Sequence, residues 1–524
     1  MAFIRCNDIS FHYADTDQYL FKHLNLEIDT TWKGAIVARN GRGKTTLLKL
    51  LHQELEISGG ELIKEVETDL FPIDITVSDQ TTFDVIKNYL GPFAQCEQIM
   101  TDFLDGRADD DRYYEALSQY LELGGYELEA TIKRECYRLK LKEDILNRPY
   151  HLLSGGEQTK VQIIMLFLKP NRFILLDEPT NHLDAEGIQS LATYLKQKDG
   201  FLIVSHHREF LNQCVDHIIA IEKQGLIVSQ GNYDSYEYDY DLKKEFELKQ
   251  RTKIEKDVRR LEVAARERRN WSNAKEKEKI GAGDKGFVSH QAAKLMKRAL
   301  NVERRINQQL EEKKELVKYR EHMPYIKIMQ STKAQTILQV SHLEVGYGEN
   351  PIIQDLSLTL EAGQRLAICG TNGCGKTTFI KSLLGEIPIQ NGLIKFDNRV
   401  RIAYASQFPR YESGFLRDIL RELGLEEARF RSILGALSCH REIFERDLST
   451  FSLGELKKVD LARSLYHESQ LLIWDEPLNG IDILSRRAIE EAILIYQPTM
   501  IFIEHDETFV ERVSTHILNL GKKE

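Results

Sequence analysis

Two near-copies of one glycine-rich stretch constrain this chain more than any other feature. ARNGRGKTT runs from Ala38 to Thr46, and GTNGCGKTT runs from Gly370 to Thr378. Each follows a strand-like apolar run, GAIVA or RLAICG, and opens a helix-like one, LLKLL or FIKSLL. That is the strand–loop–helix context of a phosphate-binding loop. Small residues let successive backbone N–H groups and the helix N-terminus converge on phosphate oxygens. The candidate phosphate-loop residues are Asn40, Gly41, Gly43, Lys44, Thr45 and Thr46, and Gly370, Asn372, Gly373, Gly375, Lys376, Thr377 and Thr378. Lys44 and Lys376 are placed to reach the β- and γ-phosphates, with the hydroxyls of Thr45 and Thr377 on Mg²⁺. One such motif alone is weak; two in matching context are specific.

The rest of each half repeats as well. LSGGEQ (Leu153 to Gln158) matches FSLGEL (Phe451 to Leu456), offering Ser154, Gly155, Gly156 and Glu157 in one half and Ser452, Gly454 and Glu455 in the other. FILLDEPTNHLD (Phe173 to Asp184) matches LLIWDEPLNGID (Leu471 to Asp482), each an apolar strand ending in a carboxylate pair. A histidine follows a further apolar run, His206 in FLIVSHHREF and His505 in MIFIEHDETF. Serine to aspartate is 23 residues in both halves, and aspartate to histidine is 29 in one and 30 in the other. At the end of a strand, Asp177 and Asp475 can hold Mg²⁺ through water. Glu178 and Glu476 can orient or deprotonate an attacking water. Acidic residues after a strand are often a solvated turn; the loop upstream and the histidine downstream favour the catalytic reading.

These motifs resemble the ATP-binding cassette ATPase family, and the resemblance covers nearly the whole chain. It implies an α/β fold of two tandem cassettes, ATP and Mg²⁺ as cofactors, and ATP hydrolysis. It implies that the cassettes pair head to tail within one monomeric chain, with one site formed by Lys44 and Ser452 and another by Lys376 and Ser154. His206 and His505 would contact the γ-phosphate and the water. Tyr13 and Tyr347, about 30 residues before the loop lysines and ahead of the first amphipathic strand pair, would stack on adenine; a core or edge-strand tyrosine is the alternative. Gln407 in YASQFP fits the glutamine that senses Mg²⁺ and water. Departures cluster on one site: Ala38 for a loop glycine, Ile73 where the glutamine belongs, with Gln80 several residues off, and Leu453 for a signature glycine. The two sites are therefore expected to be unequal, with the Lys376/Ser154 site nearer the family pattern. His207 also replaces the usual acid after the histidine.

Charge separates the middle of the chain from the rest. The net charge is −10, yet residues 241–320 carry 24 Lys+Arg against 14 Asp+Glu, leaving −20 on the remainder. Ile254, Val258, Leu261 and Ala265 form one helical stripe, and Leu295, Ala299, Val302, Ile306 and Leu310 another. Around the break at Gly281, Gly283 and Gly286 lie Lys275, Lys277, Lys279, Lys285, Lys294, Lys297 and Arg298, with Trp271 and Phe287 interleaved. Helices of ~35 residues would carry this tip ~50 Å. A solvated helix face is the plain explanation of such charge. An excess of this size beside a hairpin apex in an acidic chain fits RNA better.

The first half holds 34 more residues between lysine and serine than the second, placed at about 91–136 and read as a helical pair with a Gly-Gly break. They form either a decorative subdomain or a docking arm. The domain reading is a first cassette at 1–236, a basic helical hairpin linker at 237–325 and a second cassette at 326–524. Tandem cassettes, the arm, the linker, LSGGEQTK and GNYDSY (Gly231 to Tyr236) resemble the ABC-F family. WDEPLN and GFVSHQAAKLMKR resemble its antibiotic-resistance branch from Gram-positive bacteria, the lincosamide, streptogramin A and pleuromutilin protection type. That implies a ribosome partner: large-subunit rRNA, the tRNA exit site and P-site tRNA. A housekeeping translation factor of the same family is one rival, and an ATPase subunit of a membrane transporter another. No apolar run approaches the ~20 residues of a membrane span. The N-terminus lacks a signal layout, so a cytoplasmic protein is expected. Seven cysteines without a CxxC pair suggest reduced thiols and no cysteine metal site.

Overall fold

The computed structural model describes residues 2–14, 19–75, 79–105, 107, 109–181, 183–222, 225–243, 326–330, 335–347, 350–371, 373–437, 439 and 441–520, with scattered positions between 245 and 304. The chain divides into two compact units, Met1–Tyr233 with Pro324–Glu524, and Asp234–Met323. In the second unit residues 234–243 are helical. The basic residues Lys275, Lys277, Lys279, Lys285, Lys294, Lys297 and Arg298, with Phe287, lie outside the described residues, as does Asn372.

The first unit holds the two tandem α/β cassettes. In the first, β1 (Phe3–Phe11), β2 (Phe21–Asp29) and β4 (Gly59–Lys64) make an antiparallel sheet in the order β2-β1-β4. Alternation along β1 turns Ile4, Cys6, Ile9 and Phe11 inward. A second sheet runs β5-β6-β7-β3-β8-β9, built from β3 (Lys33–Val37), β5 (Glu67–Phe71), β6 (Arg172–Asp177), β7 (Phe201–Val204), β8 (His217–Glu222) and β9 (Gly225–Gln230). Its strands are parallel except β9. The central runs AIV, FILL and FLIV are buried throughout, as a sheet covered on both faces requires.

The second cassette repeats the plan with β10 (Thr336–Tyr347), β11 (Asn350–Glu361) and β13 (Asn391–Phe396) antiparallel. Beside them stands a parallel sheet β14-β15-β16-β12-β17, from β12 (Arg365–Cys369), β14 (Ile402–Ala405), β15 (Leu471–Asp475), β16 (Met500–Ile503) and β17 (His516–Asn519). In both cassettes the phosphate loop and the carboxylate pair leave parallel strands of one sheet at their C-terminal ends, with the strand that leads to the histidine between them, where open α/β sheets bind ligands. Tyr13 follows β1 and Tyr347 ends β10. Both tyrosines thus stand at the turn between the first two strands, not ahead of them, because the first strand runs up to Phe11 in one cassette and to Tyr347 itself in the other.

The extra residues of the first cassette form three helices, α3 (Phe93–Leu104), α4 (Asp110–Glu122) and α5 (Gly125–Arg138), after α1 (Lys44–His52) and α2 (Thr82–Leu90). The Gly-Gly break separates α4 from α5: Gly124 takes φ 70°, and a Cβ on Gly125 would lie 2.4 Å from the Tyr120 ring. The first helix of the three was not separated from the pair in the sequence pattern. Glu135 on α5 anchors the arm. It is 2% exposed and accepts from Tyr194 Oη at 2.8 Å and Lys198 Nζ at 2.5 Å.

Candidate functional site

Each phosphate loop turns from its strand into a helix through a left-handed glycine. Gly43 (φ 85°) precedes α1, and Gly375 (φ 100°) precedes α9 (Lys376–Leu383). A Cβ at Gly375 would lie 2.7 Å from Ile352, so strain and space both demand glycine. Ala38 escapes this demand. Its counterpart Gly370 has φ 151°, whereas Ala38 is outside the positive-φ set, so the alanine fits its local backbone.

The two signature segments do the same local work. Ser154 caps α6 (Gly155–Leu168) and Ser452 caps α12 (Leu453–Tyr466), the latter following α7 (Ala185–Lys196), α8 (Arg208–Cys214), α10 (Leu416–Glu422) and α11 (Glu427–Ala436) in the chain. Each hydroxyl accepts from the backbone N–H three residues on, Glu157 or Glu455, at 3.3 Å, and each glutamate takes the serine N–H in return. Gly155 and Gly156 form the first turn of α6, and Leu453 is 58% exposed at the matching turn of α12.

The structure brings the second cassette onto the first phosphate loop. Asn40 Nδ2 donates to Gly480 O at 2.8 Å, and Asn40 N donates to Asp482 Oδ2 at 3.2 Å. A Cβ on Gly454 would lie 2.6 Å from Asn40 Nδ2, so the signature glycine itself seats against this loop. Lys44 Nζ donates to Ala38 O at 3.2 Å and Asn40 Oδ1 at 3.1 Å. Tyr13 Oη and Thr46 Oγ1 are 2.7 Å apart.

At the second loop the two cassettes enclose a cavity of about 570 Å³. The second cassette lines it with Gly373, Gly375, Lys376, Thr377, Thr378, Tyr347, Gln407, Glu476 and His505. The first supplies Thr180, Asn181, Leu183 and His207, while Ser154 is not among the lining residues. Sequence reasoning passed over the segments after each carboxylate pair, PTNHLD and PLNGID; their repetition was the available signal. It also passed over Arg486.

The carboxylate pairs share a backbone feature. Glu178 and Glu476 take φ 50° and 49°, a left-handed conformation that costs a glutamate energy and aims its side chain across the strand end. Their electrostatics differ. His505 Nε2 makes a hydrogen bond with Glu476 Oε1 at 3.0 Å, and Gln407 Nε2 donates to Oε2 at 3.1 Å. Burial pushes Glu476 up, but these bonds outweigh it and hold the carboxyl below its ordinary value; bonding to Glu476 in turn raises His505. His206 Nε2 also lies 3.0 Å from Glu178 Oε1, yet that oxygen has no hydrogen-bond partner because the alignment fails. Burial then dominates: Glu178 is pushed up to about 8, and His206 falls well below its ordinary value through burial and Lys44. Ile73, at Gln407's position, offers only its backbone N–H, which donates to Gln162 Oε1 at 3.1 Å.

The residues present suit a hard divalent cation. Thr377 Oγ1 is 3.4 Å from Asp475 Oδ1, and Asp475 Oδ2 is buried without a partner. Burial raises Asp475 to about 6, and burial likewise raises Asp177 against the opposing bond from Thr45. One carboxylate with a hydroxyl suits Mg²⁺, which takes its remaining ligands from water and phosphate. Among the described residues no cluster of three or more His, Cys, Asp or Glu could hold a metal, and the seven cysteines are free. No described helix is long and apolar enough to cross a membrane.

Two phosphate loops, each with a histidine at the adjacent strand end and a carboxylate pair at the next, define a tandem-cassette ATPase. Residues 21–181 and 353–479 match the ABC transporter family, and the chain belongs to that family and is an ATP hydrolase. It is 29% identical to the "Probable ATP-binding protein YbiT" of Escherichia coli O157:H7, over 96% of this chain and 93% of that one. It is 25% identical to the "Ribosome protection protein VmlR" of Bacillus subtilis (strain 168), over 96% and 84%. It is 27% identical to the "Energy-dependent translational throttle protein EttA" of Escherichia coli (strain K12), over 96% and 89%. Its similarity is thus to ABC-F ATPases. Among solved structures, the fold resembles an archaeal ribosome recycling factor, aABCE1, solved with the ribosomal stalk protein aP1. That match has TM-score 0.58 and 18% identity, and covers 98% of this chain and 87% of that one.

Proposed function

We propose that this chain is a ribosome-binding ABC-F ATPase that protects the ribosome from antibiotics acting at the peptidyl-transferase centre. In this reading a first cassette (1–236) and a second (326–524) close on ATP, and the basic linker (237–325) reaches large-subunit rRNA from the tRNA exit site. Hydrolysis then releases the protein. The observation that carries the reading is the net +10 of residues 241–320, set between cassettes whose ATP-binding edges interlock. A phosphate-rich partner explains that excess; a transporter partner does not. Similarity to a ribosome protection protein over 96% of the chain supports it.

The geometry supports the following residue roles. Lys44 and Lys376 hold phosphates, and Thr45 with Asp177, and Thr377 with Asp475, hold Mg²⁺, which when bound neutralises charge on the transferred phosphoryl group. Glu476, ionised and aligned by His505 and Gln407, receives the proton of the attacking water. Glu178 holds the equivalent place in the first site. Ser154 and Ser452 present helix N-termini to the opposite nucleotide.

The second reading is a translation factor acting on stalled ribosomes, favoured by the 27% identity to a translational throttle protein. One experiment separates the readings. Drug susceptibility of a sensitive host is measured with and without the gene, beside ribosome co-sedimentation in ATP. Protection with co-sedimentation is expected. Co-sedimentation without protection favours the translation factor, and neither result removes both.

A further inference from the structure

We infer that Arg486 couples the two nucleotide sites through one of the two carboxylate-motif turns and not the other, acting as a positioning residue. Arg486 is 3% exposed on α13 (Ile483–Tyr496) and grips the turn that precedes its helix. Its Nη2 donates to Leu478 O at 2.8 Å and its Nε to Ile481 O at 3.0 Å. Its Nη1 donates to Asp506 Oδ2 at 3.2 Å. Asp506 directly follows His505 and caps α14 (Glu507–Val513), accepting from Phe509 N at 3.1 Å. One guanidinium therefore ties the histidine of the second pocket to both ends of the 478–482 turn.

That turn is the part of the second cassette that touches the first phosphate loop. Gly480 O and Asp482 Oδ2 accept from Asn40, and Asn40 Oδ1 accepts from Lys44 Nζ. Asp482 is fully buried and fixed further by Lys458 Nζ at 2.7 Å. Hydrogen bonds joined through the backbone of this turn thus run from the edge of the second pocket to the lysine of the first. The planar fork of arginine holds several acceptors in fixed relative positions, so a shift of Asp506 with His505 is passed to the turn.

Among the described residues, the matching turn of the first cassette has no such tie. Counting from the capping aspartates, Asp184 and Asp482, the counterpart of Arg486 is Ile188, and His207 stands in the place of Asp506. Neither can make the contact. The 180–184 turn is held instead by a hydroxyl pair, Thr180 Oγ1 to Ser205 Oγ at 3.0 Å. Coupling of binding is reciprocal by thermodynamic necessity, so what is single is the route, not the direction.

The inference rests on both pockets binding ATP. The test uses the full chain and a fluorescent ATP analogue, with affinity at the first site measured while the second is open or blocked by Lys376→Ala. Blocking the second site should shift first-site affinity about 5- to 150-fold in the parent. In Arg486→Met the same block should shift it by less than about 2-fold. Asp506→Asn, which keeps an oxygen to cap α14 but not the charge facing Arg486, should uncouple the sites likewise and carries the test if Arg486→Met does not fold. A block effect of parental size in a folded variant overturns the inference. So does equal weakening of both sites with the block effect intact, the pattern of a merely structural arginine. Absence of analogue binding in the parent would instead overturn the ATP-site reading beneath it.

Discussion

Removing the charge of Glu490 should cost more than removing its partner Arg208, although the two form one ion pair. Arg208, at the start of α8 in the first cassette, meets Glu490 on α13 of the second, and both side chains are 3% exposed. Nη2 lies 2.9 Å from Oε1, and Nη1 donates to Oε2 at 3.2 Å. Arg512 also approaches Oε2 at 3.4 Å, but from a half-exposed position. In Arg208→Met the glutamate therefore keeps a cation. In Glu490→Gln the guanidinium loses its paired anion and keeps only the charge of Asp506, outside ion-pair distance, and the Ile483 carbonyl at 3.5 Å, with its Nε already lacking a partner. Stranding one member of a buried pair costs about 3–5 kcal/mol. Because the pair joins the cassettes, separation returns both groups to water and the cost falls on the closed form alone. At 1.4 kcal/mol per tenfold, about 3 kcal/mol is roughly a 150-fold loss of closed population. Equilibrium ATP binding reads this as weaker apparent affinity. Arg208→Met should weaken it less, and Arg208→Met with Glu490→Leu should recover most of it, since apolar replacement of a buried pair is close to neutral. Unchanged affinity in Glu490→Gln, or a double variant no better than that single one, would refute the reasoning.

Other substitutions have definite expected outcomes. Phosphate release should fall about 10²- to 10⁴-fold in Glu476→Gln, the loss of a working general base; it should fall less in Glu178→Gln, whose carboxyl burial pushes up to about 8. Glu135→Gln strands Lys198 and should cost about 3 kcal/mol, read as a lower thermal midpoint. Burial raises the Glu135 carboxyl, but bonds from Lys198 and Tyr194 bring it below 4.5 in the fold. Its contribution is thus present above 4.5, its unfolded value, and lost as pH falls through the lower folded one, so parent and variant midpoints should converge in acid. Replacing Lys275, Lys277 and Lys279 with glutamine should reduce the slope of log ribosome affinity against log salt by about 2. An unchanged slope would leave those lysines as a solvated face.

How much was legible depended on whether a residue's task was local. The phosphate loops, the strand-end carboxylates and the histidines were readable because each needs a fixed residue type at a fixed place on its own element. Gly375 needs its left-handed φ and Asp475 the end of a buried strand, and neither demand depends on the other cassette. Residues whose task lies across the cassette boundary left no such mark. Arg486 and Arg208 look like ordinary helix-surface cations in RRAIEEAI and HREF, and only packing shows them buried. His207 was noticed as a departure, but its facing the second pocket could not be read from one strand end. The tyrosines were placed one strand too early because the apolar run of β1 extends to Phe11.

The inequality of the sites also has a local origin and a nonlocal one. Ala38, Ile73 and Leu453 converge on the Lys44/Ser452 site in the sequence, but Ala38 fits its backbone and Leu453 faces outward at a helix N-terminus. Ile73 is the departure with a chemical consequence. Both glutamates are part-buried at left-handed positions, and both have a histidine nitrogen at 3.0 Å. Burial alone drives a carboxyl toward its neutral form. Glu476 resists because Gln407 holds Oε2 while His505 holds Oε1. With an isoleucine in that place, Glu178 lacks the amide donor; it keeps a backbone bond from His206, but its Oε1 has no partner. The bond from His505 and the Gln407 amide together hold Glu476 below its ordinary value, while burial pushes Glu178 up to about 8. The more testable half of that statement is Gln407→Ile: it should move Glu476 toward the state of Glu178, lowering phosphate release from the second site while ATP binding persists. Loss of ATP binding together with turnover would mean the amide shapes the pocket rather than the base.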